Sequence, residues 1–178
     1  MSNSSVYPTP INAFKQSKRS VLSVIVDNEP GILARIVGLF SGRGYNIEAL
    51  NVTVVDVENN LSRITIETLG EERVIKQIIA QLEKLVPVHS ATNLANLKES
   101  YEAEICLVKI EFDNEDQDHK ILTFADIYRT RTVQKRQHLV VYEISGTSER
   151  INKFLDDLTT ISGIKVELVR SGPIGLGI

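Results

Sequence analysis

The chain has no tryptophan, one cysteine and one methionine, and aromatic residues fill only 6% of its 178 positions. The single cysteine, Cys106, excludes an intrachain disulfide, and a thiolate metal centre would need further ligands from elsewhere. Cys106 lies in an alternating apolar run, so it reads as a buried structural thiol. The three histidines, His89, His119 and His138, stand at no recognisable spacing from a carboxylate or nucleophile. The H-E-x-x-H, G-x-S-x-G and kinase signatures are missing, and with them the case for catalysis by this chain. No apolar run approaches the ~18 residues of a membrane span, and the N-terminus lacks the hydrophobic core of a secretory signal. Neither sign of charge dominates: 23 acidic against 20 basic residues give a net charge of -3, which argues against nucleic acid as the main partner. A soluble, reducing compartment follows as the expectation, the bacterial cytoplasm.

What is present is ordinary for a globular chain, 42% hydrophobic and 24% charged, and it is ordered. Residues 1–19 are polar, aperiodic and free of acids, and read as a flexible extension. Their Lys15, Lys18 and Arg19 share the basic, acid-free character of an organelle transit peptide but are poor in arginine for one, so organelle import stays open. Ser20 to Val26 predicts a strand. The helix from Gly31 to Ser41 places Leu33, Ile36, Val37 and Phe40 at i, i+3, i+4 and i+7. Ile47 to Val57 and Leu61 to Leu69 predict a hairpin turning at Glu58-Asn59-Asn60. A second helix over Glu71 to Leu85 and a strand over Val88 to Leu94 complete a βαββαβ unit spanning 20–95. After a linker at 96–101 the order repeats over 102–178: strand 104–112, acidic loop 113–118, helix 120–128, strands 130–136 and 138–145, helix 148–161, strand 164–169. The fold class expected is α+β, with two ferredoxin-like units. The first sheet carries both helices on one face. Its other face or an edge needs cover, for which a second copy is the expected source. The glycine-rich tail from Arg170 to Ile178 either frays or docks on a partner.

Three features invite sharper readings and fail them. Gly42-Arg43-Gly44 follows a helix and precedes a strand, the reverse of a dinucleotide fingerprint, and helix termination accounts for it. The acidic run Asp113 to Asp118 lacks the central glycine and distal glutamate of a calcium loop, and reads as a solvated loop. Arg129, Arg131, Lys135, Arg136 and His138 form a basic run without interleaved aromatics, which suits a charged edge strand or a partner surface.

The stretch from Val24 to Leu50 carries the chemistry. Asp27 and Asn28 are capping types, Pro30 suits a first helical turn, and Gly31 leaves the first backbone N–H groups unshielded. Such a helix start attracts a carboxylate. Asn46 enters the next strand with an amide that both donates and accepts. A helix N-terminus and two amides could hold an amino acid; the same residues also serve plain capping and turning.

The string D-N-E-P-G-I-L-A-R-I-V-G-L-F-S-G-R-G-Y-N-I-E-A-L resembles the opening of the regulatory (small) subunit of acetolactate synthase, or acetohydroxyacid synthase, whose first module is an ACT domain. The likeness continues at Leu61 to Ile66, Gln81 to Val86, Glu104 to Lys109, Gly146-Thr147 and Arg170 to Leu176. It implies a subunit without catalytic residues or a cofactor of its own. Such a subunit joins a catalytic subunit that uses thiamine diphosphate, magnesium and FAD. It activates that enzyme of branched-chain amino acid synthesis and confers feedback inhibition, usually by valine. It also implies a homodimer through the ACT domain, with the effector between ACT domains. The matching positions are Asn28, Pro30, Gly31, Ile32, Leu33, Asn46 and Ile47. On that expectation the N–H groups of Gly31 and Ile32 take the carboxylate and Asn28 and Asn46 hold polar groups, one of them from the partner chain. Leu33 and Ile47 line the side-chain pocket. Leu69, Gly70 and the second unit are the expected activation surface. The competing reading is a free-standing amino-acid sensor acting on another enzyme or on transcription, for which no DNA-binding element is found.

Overall fold

The computed structural model describes residues 18–178; the expectation for residues 1–17 lies outside them. The first unit runs β1 (Lys18–Asp27), α1 (Ile32–Ser41), β2 (Ala49–Asp56), β3 (Leu61–Gly70), α2 (Glu72–Leu82) and β4 (Val88–Asn93). Its four strands are antiparallel in the order β2-β3-β1-β4. After a 3-10 turn at Leu94–Asn96 the second unit runs β5 (Ser100–Glu111), α3 (Glu115–Ile127), β6 (Arg131–Arg136), β7 (Leu139–Gly146), α4 (Ser148–Thr159), β8 (Lys165–Arg170) and β9 (Ile174–Gly177). Its sheet is ordered β6-β7-β5-β8, with β9 paired to β5. Both units are ferredoxin-like and the class is α+β.

Alternation decides which face of each sheet is packed. Leu22, Val24 and Val26 of β1 and Ile64 and Ile66 of β3 are sealed under α1 and α2 with Ile36, Phe40, Ile75, Ile78 and Leu82. In the second unit Cys106, Val108 and Ile110 meet Val140, Tyr142 and Ile144 beneath Ile121, Ile151, Phe154 and Leu158. The buried stripe of α1 keeps the expected Ile36 and Phe40 but takes Ile32 rather than Leu33 at its start. Ile32, Ile36 and Phe40 are buried, while Leu33 is 38% exposed.

Several boundaries differ from the sequence reading for local reasons. β1 opens at Lys18, two residues before the expected Ser20. β5 opens at Ser100, inside the stretch read as a linker. The run 113–118 is exposed over 113–116 but is loop only as far as Asn114. Asn114 caps α3 through a reciprocal box with Gln117, so the helix starts at Glu115. Arg131, Lys135 and Arg136 of the basic run lie on β6, an exposed sheet edge, with Lys135 held by Asp118 at 2.8 Å.

The tail does not fray. β9 pairs with Ser100–Ala103 of β5, and this segment lies over the helix-free face of the first sheet. Asn51 of β2 donates to the carbonyls of Ser171 and Pro173, and Arg63 of β3 donates to that of Gly175. Val21 and Thr65, which point away from the helices, are consequently buried. Arg19 joins the units further: its guanidinium pairs with Glu67 of β3 and with Glu102 of β5, the latter at 2.7 Å, and reaches Ser148 of α4 at 3.4 Å. The chain itself thus supplies part of the cover that was expected from a second copy.

Candidate functional site

β1 ends at Asp27, and the chain turns through Asn28, Glu29 and Pro30 into α1. Gly31 is the N-cap residue rather than the first helical one. Its φ of +88° is left-handed, a conformation glycine adopts freely. Among the described residues no side chain caps α1. Of the two residues of capping type, Asp27 is engaged elsewhere, its Oδ1 meeting His89 Nε2 at 2.7 Å, while the backbone N–H of Asn28 donates to the Asn60 carbonyl at 2.7 Å. The Ile32 N–H makes only a long bond, 3.4 Å, to the Glu29 carbonyl. A helix start left this way attracts an anion through aligned N–H groups and the helix dipole.

Asn28, Pro30, Gly31, Leu33 and Asn46 are exposed, Ile47 is half-buried and Ile32 is buried. Ile32 can therefore offer a ligand its amide but not its side chain, which belongs to the core. Leu33, outside the buried stripe of α1, is free to line a pocket. Across the sheet, the Asn46 amide donates to Glu48 Oε1 at 2.8 Å and its carbonyl accepts from the Thr68 hydroxyl at 2.7 Å.

One chain does not bring these residues together. Asn28 sits where β1 meets the start of β3, beside Asn60 and Leu61. Asn46 sits at the far end of β3, beside Thr68. The length of β3 between them is about 20 Å at ~3.3 Å per residue.

Sequence spacing hid two groups of contacts. His89 and Asp27 meet only because β4 lies against β1, and their exposed pair ties the loop before α1 to that edge. At the junction of the units, buried Glu104 pairs with Arg170, which also binds Asn152 at 2.7 Å. These groups border a cleft of about 630 Å³ reaching Arg19, Glu48 and Leu69. Among the described residues no cluster of three or more His, Cys, Asp or Glu side chains could hold a metal ion, and no helix is long and apolar enough to cross a membrane.

Comparison with known proteins turns this geometry into a family. The model described as an AHAS small subunit-like ACT domain matches residues 22–90, and the model described as the small subunit of acetolactate synthase matches residues 103–178. The chain belongs to the acetolactate synthase small-subunit family. It is 40% identical over 158 residues to the acetolactate synthase isozyme 3 small subunit of Escherichia coli, covering 89% of this chain and 94% of that one. To the probable acetolactate synthase small subunit of Methanothermobacter thermautotrophicus it is 37% identical over 157 residues, or 88% and 90% of the two chains. The crystal structure of the acetolactate synthase small subunit from Thermotoga maritima superposes with a TM-score of 0.77 at 28% identity, covering 90% of this chain and 98% of that one. The family thereby fixes the first unit as an ACT domain and the second as an ACT-like one.

Proposed function

We propose that this chain is the regulatory subunit of acetolactate synthase: it binds the catalytic subunit, raises its activity and makes it sensitive to feedback inhibition by valine. In this reading residues 20–95 bind the effector and residues 102–178, joined through 96–101, complete the subunit. Thiamine diphosphate, magnesium and FAD belong to the catalytic partner. The observation that carries the reading is the family match across both units, and the uncapped, glycine-opened start of α1 suits an amino acid carboxylate.

The effector site is completed by a second copy. β2 is an edge strand, and Val52, Val54 and Val55 on it are 45–49% exposed, a surface that favours edge pairing. Antiparallel pairing of two β2 strands about a two-fold axis carries the Asn46 of one copy to the end of the joined sheet where the other copy's Asn28 and α1 begin. The carboxylate then meets the N–H groups of Gly31 and Ile32, Asn28 and the partner's Asn46 hold the polar groups, and Leu33 and Ile47 face the side chain. Valine inhibits only to the extent that it binds one state of the complex better than the other.

The test is acetolactate formation by the catalytic subunit from the same source, alone, with this chain, and with this chain plus valine. Activation that valine reverses supports both roles. Activation without valine sensitivity removes the effector assignment, and no activation leaves the free-standing sensor as the better reading.

A further inference from the structure

A second cleft, of about 520 Å³, opens where the helix-free face of the first sheet meets β5 and β9. Thr53, Val55 and Thr65 form one wall and Tyr101, Ile174 and Leu176 the other. Arg63 lines it as well. The Arg63 Nη1 donates to the Gly175 carbonyl at 3.3 Å, but its Nε is buried with no hydrogen-bond partner among the described residues. Among the described residues no carboxylate pairs with this guanidinium: Glu102, which lines the same cleft, is held by Arg19. A half-buried guanidinium that lines an apolar cleft without a carboxylate partner calls for an acceptor of negative charge.

The shape says which kind. Sites for small ligands enclose most of the ligand's surface. Here the walls stand open, with Tyr101 66%, Ile174 56% and Leu176 52% exposed. Large exposed apolar side chains around an arginine and a tyrosine are the composition of a protein–protein hot spot. We propose that this cleft is a docking site for a segment of the catalytic subunit that presents a carboxylate side chain flanked by apolar ones, the carboxylate pairing with Arg63. The inference rests on the regulatory-subunit reading and adds to it a location. β2 and β3 of the ACT domain and β5 and β9 of the second unit all line the cleft, so a partner seated there senses how the two units are placed. β2 continues directly from Asn46 and Ile47, so a change at the effector residues reaches the docking wall along a single strand.

The test measures the concentration of this chain that half-activates the catalytic subunit, with complex formation followed by sedimentation and valine binding to the chain followed by calorimetry. Arg63→Met keeps the apolar stem and removes the charge. Because it also loses the bond to Gly175, two substitutions at exposed wall positions accompany it: Tyr101→Ala, and Leu176→Glu, which offers Arg63 a carboxylate from within the chain. The expected result is that each raises the half-activating concentration about tenfold or more while valine binding changes less than twofold. Wild-type activation with all three variants unchanged would overturn the proposal. So would unchanged activation by variants that have lost affinity for isovalerate, which would make the cleft a small-molecule site. Unchanged activation by variants that sediment as smaller species would likewise overturn it and assign the cleft to a second copy. A wild-type chain that neither binds nor activates would remove the regulatory reading itself, an outcome visible before any variant is made.

Discussion

The side-chain amide of Asn51, on β2, donates to two backbone carbonyls 120 and 122 residues away, those of Ser171 and Pro173, each at 3.1 Å. Both of its N–H groups are therefore committed to one peptide segment. That segment leads from β8 to β9, so a strand of the first unit is held to the return path of the second.

Asn51→Ala is expected to lower stability by about 1–2 kcal/mol, from two neutral hydrogen bonds worth ~1 kcal/mol each. Amide exchange should speed up in Gly175 and Gly177 before it does in the two cores. Urea unfolding and residue-resolved hydrogen exchange check both statements.

Gly172 makes the same junction sensitive to a single methyl group. It has φ +73°, and a Cβ there would lie 2.5 Å from the Cβ of Ala49. Gly172→Ala should cost about 2–4 kcal/mol from backbone strain and overlap together. Adding Ala49→Gly removes the overlap and leaves the strain, so it should restore roughly half of the loss in a double-mutant cycle read by thermal unfolding.

Asn46→Ala separates ligand binding from folding. The side chain is exposed and its hydrogen bond is to Glu48, also exposed, so stability should move by less than about 0.5 kcal/mol. Valine inhibition of the reconstituted enzyme should be lost with activation retained. Intact inhibition would remove Asn46 from the site.

Cys106 and Tyr142 report on the second core at alkaline pH. Burial pushes the Cys106 thiol up from its ordinary 9.0, opposed by nearby Arg170 and aided by Glu104. Burial likewise raises the Tyr142 hydroxyl above its ordinary 10.0, with Asp118 and Asp126 adding to the shift. Both groups stay protonated in the fold where the unfolded chain has lost the proton. Their contribution is thus complete below about pH 9 and declines as pH rises through the folded values. The urea midpoint should fall from pH 9 upward, and a thiol reagent should modify Cys106 only as fast as the second sheet opens.

Much of this architecture was legible from period and punctuation. The strands and helices of both units follow alternation and helical spacing, because each has one buried face. The first turn of α1 is the exception: Ile36 and Phe40 are buried as their spacing predicts, but Ile32 is buried in place of Leu33. The capping box Asn114–Gln117 was in the sequence but masked by the acids around it. β9 was hidden for a different reason. Its glycines look like a tail, yet a Cβ at Gly175 would overlap Leu94 and one at Gly177 would overlap Leu97. The need for glycine there comes from close approach to distant residues, which no local window contains. The loop residues of the proposed effector site stood out by motif, whereas Arg63 and its cleft arise only when the tail folds back.

The Arg63 to Gly175 bond has a temporal side. β9 begins at Ile174, 104 residues after β3 ends at Gly70. Domains fold as units during synthesis, N-terminal first, so the first sheet can close over its helices while its other face is still bare. Val21 and Thr65 then wait, wetted, for most of a second unit to be made. The nascent subunit passes through a stage that is folded but adhesive, and that stage ends only when β9 settles.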